Sequence, residues 1–322
     1  MKKIVVIFTG GTIGSTTTDG VINVNSSSSF QLISLYQTKY GRNAEFIPVK
    51  IMETLSENIV ASHWEVLCDY LNDVDFSQYS GIIITHGSDT LAYTSALIGM
   101  MFRHTPVPIL LVASNKPLGT VGSNGLKNFA MAVDYILSKS GCGIFTAYDR
   151  IYLSTRLLPA DTCLDRFSVY GDDDSKAVKS ARGAIIPDLE LGQIRFTKEI
   201  LIIHGYPNIN FANFVLTDTL AAVLYVPYHS ATACTDCKDS SKSLLTFLSC
   251  CKENGIPLYI CGLKKSADIY DTTAKLLQSG VKPLYGISDV SAYIKLMIAY
   301  NQKKIPADEI MATNLYFETI DN

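Results

Sequence analysis

Ile4-Val5-Val6-Ile7-Phe8-Thr9-Gly10-Gly11-Thr12-Ile13-Gly14 decides the fold. Its five leading apolar residues form a continuous run and end in glycines. A run of that kind is a strand covered on both faces, as in a parallel sheet, entering a tight turn. Gly81-Ile82-Ile83-Ile84-Thr85 repeats the pattern and stops at His86-Gly87-Ser88-Asp89. Val107 to Val112, behind Pro106, and Gly143 to Ala147 are two more such strands. Helical stretches lie between them, at 62–71, 91–102 and 125–137. Strands alternating with helices mean an α/β domain with a mostly parallel sheet of flavodoxin/Rossmann-like type.

The pattern breaks near residues 170–198. Gly171-Asp172-Asp173-Asp174-Ser175-Lys176 is a polar run, read here as a solvated loop, and weakly patterned residues follow it. A second α/β series opens with Glu199-Ile200-Leu201-Ile202-Ile203-His204. It continues through the apolar run 220–226, the strand 257–261 and a last helix from Val290 to Tyr300. The expectation is a larger N-terminal domain, 1–190, that carries the site, and a smaller C-terminal α/β domain, 191–322.

The chain has 322 residues, enough for two domains at roughly 150 each. Hydrophobic residues make up 48% and charged residues 18%, which excludes a disordered or charge-driven protein. With 27 basic against 30 acidic residues the net charge is −3, so no electrostatic footprint for nucleic acid or an anionic membrane follows. Only five apolar residues, Ile4 to Phe8, precede Thr9. A secretory apolar region takes about 7–15 and a membrane helix about 20, so the expected location is the cytoplasm. Eight cysteines in a chain of this length are read as free thiols, with Cys68, Cys142 and Cys261 packed in apolar runs. Cys234-Thr235-Asp236-Cys237 lacks the second pair that a zinc site needs, and the histidines form no ligand-spaced cluster. No metal is expected.

In an open α/β sheet, ligands bind beyond the carboxyl ends of the strands. Two strand ends here are furnished alike: Thr9-Gly10-Gly11-Thr12-Ile13-Gly14, and Thr85-His86-Gly87-Ser88-Asp89-Thr90. Each puts a glycine directly before a hydroxyl residue. Glycine allows close backbone approach, and free N–H groups at a helix start suit an oxyanion or a carboxylate. The first loop matches neither the dinucleotide fingerprint nor the P-loop. Ser88 alone also reads as a simple N-cap. His86 reads as a residue that packs the turn.

Together the two blocks resemble the signature blocks of the bacterial-type L-asparaginase (asparaginase/glutaminase) family, of the cytoplasmic type I kind. Ser56, eight residues before Trp64, is similar to the family's substrate-binding serine. Ser114-Asn115-Lys116-Pro117-Leu118 with Ser123 to Asn128, and Leu284 to Asp289 with Ala292 to Met297, resemble two later blocks. The resemblance implies an amidohydrolase that converts asparagine, or glutamine, to the acid and ammonia without a cofactor. Thr12 would be the nucleophile, Ser88 would orient and activate the attacking water or the nucleophile, and Asp89 would hold the α-ammonium. Ser56, with Glu57 beside it, would hold the α-carboxylate. Gly11, Gly87 and Ser114 would complete the substrate pocket, and backbone N–H groups at Gly11 and Ser88 the oxyanion site. The family also implies a homodimer or homotetramer, and it includes an amidotransferase subunit.

The chain departs from the family pattern at three places. Ser88 stands where the family has threonine. Val21 falls at the tyrosine of the lid. Asp165 or Leu158, depending on the alignment side, falls at the catalytic lysine, and Arg156 is the nearby cation. A positioned acid or base contributes about 10²–10⁴-fold to rate. A catalytically impaired homologue that binds a small amino acid, as a sensor or an amidotransferase subunit, is the alternative.

Overall fold

Ile4 to Phe8 are at most 2% exposed and form the middle of strand β1 (Lys2–Gly10), the spine of a six-stranded sheet. The computed structural model describes the backbone of residues 1–18, 21–24, 26–171, 173–184, 186–236, 238–265 and 268–320, and the side chains of that set outside 14–30. After β1 come an antiparallel pair, β2 (Ser15–Thr18) and β3 (Val21–Val24), helix α1 (Ser26–Tyr40) and strand β4 (Ala44–Thr54). Then follow α2 (Ala61–Asp73), β5 (Gly81–Thr85), α3 (Leu91–Met101), β6 (Pro108–Val112), α4 (Gly125–Leu137), β7 (Gly143–Ala147), β8 (Ile151–Leu153) and α5 (Ser175–Ala181).

The sheet order is β4-β1-β5-β6-β7-β8, parallel throughout except for the β7–β8 pair. Every residue of β5, β6 and β7 is buried, as the continuous apolar runs require. Strand β4 differs. Its burial alternates, Pro48 lies within it, and it forms the sheet edge, the one place where proline costs no ladder bond. Helix α3 is apolar all round and buried on nearly all sides. Ser95 on it pairs with Thr146 of β7 (Oγ to Oγ1 2.9 Å), and Gly99 lies so close to Ser154 that a Cβ would stand 2.5 Å from its hydroxyl.

The acidic run corrects its sequence reading. Asp174 is fully buried and accepts hydrogen bonds from Arg150 Nη1 (2.6 Å) and the backbone N–H of Leu153 (2.8 Å). Asp173 accepts the N–H of Ser175 (2.8 Å) at the start of α5. Asp172 lies outside the described residues. Cys142 also departs from expectation: it is half-buried, its thiol donating to Pro106 O (2.9 Å). Cys68 and Cys261 are buried as expected.

Residues Met1–Ile194 and Leu315–Phe317 form one compact unit, and Arg195–Asn314 with the residues from Glu318 onward form the other. The stretch 182–194 carries no helix or strand among its described residues. Arg103 holds it to the first unit by donating to Leu189 O, and Gln193 Nε2 donates to Asp69 Oδ1 (2.7 Å). Leu315–Phe317 are tied in as firmly: the Tyr316 hydroxyl accepts the Ile144 N–H (2.7 Å), and Thr155 Oγ1 donates to Tyr316 O (2.6 Å).

The second unit contains β9 (Glu199–His204), β10 (Leu220–Val226), α6 (Leu244–Glu253), β11 (Leu258–Leu263), α7 (Asp271–Gln278), β12 (Lys282–Tyr285), α8 (Asp289–Asn301) and α9 (Ala307–Ala312). Its sheet is parallel in the order β12-β11-β10-β9. Two apolar clusters serve it, one built around Val223, Phe247 and Ile260, the other around Leu224, Tyr259 and Leu296. No helix among the described residues is long and apolar enough to cross a membrane.

Candidate active site

The site is built at the carboxyl ends of β1 and β5. A hydroxyl-to-carbonyl brace sits just before the loops: Thr9 Oγ1 donates to Thr85 O (2.6 Å), and Thr85 Oγ1 reaches back to Ile7 O (3.4 Å). All three residues are buried, so the strands leave the sheet locked side by side. The β1–β4 register then slips between Phe8 and Gly10, and Gly10 takes φ 108° against the backbone of Thr54. Gly11, at φ 73°, donates its N–H to Thr54 O (3.0 Å). A Cβ on Gly11 would stand 2.5 Å from Gly87 Cα and 2.7 Å from the His86 carbonyl carbon. The two glycine loops therefore touch backbone to backbone, which no other residue type permits.

Ser56 completes the cluster. It opens a single 3₁₀ turn, Ser56–Asn58, after β4, and is 3% exposed. A Cβ on Gly87 would stand 2.6 Å from Ser56 Cβ. Ser56 Oγ accepts the Asp89 N–H (3.2 Å) and donates to Asp89 Oδ2 (3.3 Å), while Thr90 Oγ1 donates to Ser56 O (2.9 Å). The structure thus gathers Gly11, Gly87, Ser56 and Asp89. Thr12, starting the 3₁₀ turn Thr12–Gly14, and Ser88 leave from the two touching glycines, and both are half-buried. Asp89 and Glu57 are exposed. Ser114 is not brought in: its hydroxyl donates to Lys116 O (2.5 Å) and pairs with Ser123 Oγ (3.1 Å) of its own loop.

The N-cap reading of Ser88 is corrected as well. The residue before α3 is Thr90, whose hydroxyl is spent on Ser56 O instead of capping. His86 packs the turn, and its geometry says more. It is 1% exposed, and Nδ1 lies 2.8 Å from Gly87 O. A carbonyl only accepts, so Nδ1 carries the proton in this contact. Burial pushes the imidazole pKa down to about 4, so the ring is neutral near pH 7. Nε2 is buried with no partner among the described residues.

Thr9, Thr85 and Thr90 are the members that sequence reasoning passed over. The signal available was their position, each hydroxyl flanking a block already singled out. At the expected lysine position, Arg156 Nε donates to Phe317 O (2.8 Å), Leu158 is half-buried, and Asp165 is exposed with φ 46°. Val21 pairs with Thr18 across the β2–β3 hairpin; Asp19 and Gly20 of the lid lie outside the described residues. So does Cys237, while Cys234 is half-buried. No group of three or more histidine, cysteine or acidic side chains among the described residues could hold a metal ion.

Residues 3–160 match the family model described as Asparaginase, N-terminal. Over this stretch, just under half of its length, the chain is similar to asparaginases. The L-asparaginase of Thermococcus kodakarensis is 32% identical over 156 residues, 48% of this chain and 47% of that protein, so the chain spans about half the length of that relative. A glutamyl-tRNA(Gln) amidotransferase subunit from Saccharolobus solfataricus is 22% identical, over 98% of this chain and 76% of its own length. The structure of L-asparaginase I from Vibrio cholerae superposes with a TM-score of 0.80 at 20% identity, covering 99% of each chain. That likeness extends the asparaginase fold, with its N-terminal and C-terminal domains, over both units.

Proposed function

We propose that the protein is an amidohydrolase of asparaginase type. Thr12 Oγ attacks the side-chain amide carbon of asparagine, and the hydroxyl proton ends on the departing nitrogen, which leaves as ammonia. Water then cleaves the Thr12 ester to release aspartate and restore the hydroxyl, so one hard step becomes two easier ones. Ser88 orients the water. Asp89 holds the α-ammonium and Ser56 the α-carboxylate, with Glu57 at the rim. Backbone N–H groups around Gly11 and Ser88 stabilise the oxyanion, other than that of Gly11 itself, which Thr54 O accepts. The observation that carries this reading is the backbone contact of Gly11 with Gly87, because it launches two hydroxyl residues from one point above the sheet. No cofactor or metal takes part, and no nucleic acid or membrane partner is invoked. The site belongs to the N-terminal domain, and the protein works in the cytoplasm as a homodimer or homotetramer, an assembly that sedimentation would measure.

Ammonia release from asparagine and glutamine tests the reading. Purified protein should release ammonia from asparagine, and Thr12→Ala should lower the rate by about 10³-fold or more. A variant with full activity would remove Thr12 as nucleophile. A second reading is favoured by the amidotransferase relative that aligns with nearly the whole chain. On it, the protein binds a small amino acid as a sensor or as one component of an amidotransferase. Aspartate binding in a calorimeter without any ammonia release would select it.

A further inference from the structure

The second unit holds a cavity of about 350 Å³ beside the end of β12. Its polar wall is Lys265, Tyr285, Lys295, Asn314 and Thr319, and residues such as Leu284 and Met311 supply apolar surface. No acidic side chain lines it among the described residues. Lys295 comes from α8 and is 2% exposed. Its ammonium donates to Glu318 Oε1 (2.7 Å) and Thr313 O (2.6 Å), two of the three bonds it can make. Glu318, 1% exposed, neutralises that charge, so the uncompensated charge of the described wall is the exposed ammonium of Lys265.

The base of the cavity is rigid. Gly286, at φ 59°, donates its N–H to Leu263 O (2.9 Å) and accepts that of Ile320 (2.7 Å). Thr319 bridges Ile287 beside it. A preformed hollow with a few convergent polar groups and apolar sides is the usual form of a small-molecule site, and its volume lies within the customary range of roughly 300–1,000 Å³. The donors set the ligand class. One flexible ammonium, without an arginine fork in the described wall, matches a single carboxylate better than a phosphate dianion. The apolar side suits a short carbon body.

We propose that this cavity binds a small organic carboxylate, with Lys265 pairing its charge and Tyr285 and Asn314 donating to it. The proposal uses no residue of the asparaginase site and stands whether or not that site hydrolyses amides. Calorimetric titration of the full chain with butyrate tests it, in a Ser56→Ala background that removes the carboxylate position assigned to the other site. One saturable site per chain is expected, with Kd at or below about 1 mM. Lys265→Met should weaken it by about tenfold. Lys265 is exposed, so that variant should fold, and Tyr285→Phe is a second, milder probe. Absence of saturable butyrate binding, equal binding by Lys265→Met, or tighter binding of inorganic phosphate would each overturn the proposal.

Discussion

His86 sits one residue before the glycine that touches both Gly11 and Ser56, and its ring is locked on that glycine's own carbonyl. The folded protein keeps the imidazole neutral down to about pH 4, whereas the unfolded chain protonates it near 6.5. The folded pKa is the lower one. Its contribution is therefore fully present above pH 6.5 and is lost as the pH falls from there toward 4, a change of roughly 3 kcal/mol. His86→Gln retains a donor for Gly87 O without the titration. In urea unfolding at pH 7.5 and 4.5 the parent should lose about that much more stability than the variant. Equal losses would refute the assignment. Gly11 permits a sharper test. A Cβ there meets backbone, which cannot yield as a side chain would, and φ 73° already disfavours other residues. Gly11→Ala should cost about 2–4 kcal/mol, read from its urea midpoint. A variant of parental stability would mean that the two loops do not bear on each other.

Among the elements, what the sequence reveals depends on how many faces are covered. The central strands β1, β5, β6 and β7 are largely buried on both sides, so their composition is continuous and their position readable to within two residues. Strand β4 carries the edge; half of it faces water, and its Pro48 and polar residues conceal it. The β2–β3 hairpin lacks any apolar run. The glycine–hydroxyl loops were legible because their chemistry is local. Ser56 was legible only by family resemblance, since its partners Asp89 and Thr90 lie more than thirty residues away. Asp174 was illegible for a related reason: a polar triplet gives no sign of which member turns inward to Arg150 and Leu153. Its burial leads to an expected outcome. Asp174→Asn removes charge-assisted hydrogen bonds of about 1.5–3 kcal/mol. The variant's first thermal transition should fall by several degrees, at about 2–4 °C per kcal/mol for a unit of this size. An unchanged transition would show that Arg150, itself partly exposed, gains little from the pair.

At the scale of the whole molecule, each unit has its own sheet and its own apolar core, yet the chain does not divide once. Leu315–Phe317 return to the first unit after nearly all of the second has been built. Tyr316 is 1% exposed, and its hydroxyl satisfies a buried N–H from 172 residues earlier. Tyr316→Phe leaves Ile144 N–H without that acceptor and should destabilise the first unit by about 1–3 kcal/mol. Hydrogen exchange at Ile144 would report it as lost protection, and parental protection there would contradict it.

That returning tripeptide has a consequence for synthesis. As the chain emerges from a ribosome, the sheet that carries the two glycine loops can assemble early, but the three residues that complete the unit around it are translated only after nearly all of the second unit. Nascent protein must therefore hold an open place in the first core until residue 317 has been added. The first core thus closes only once strands β9 to β12 have been made.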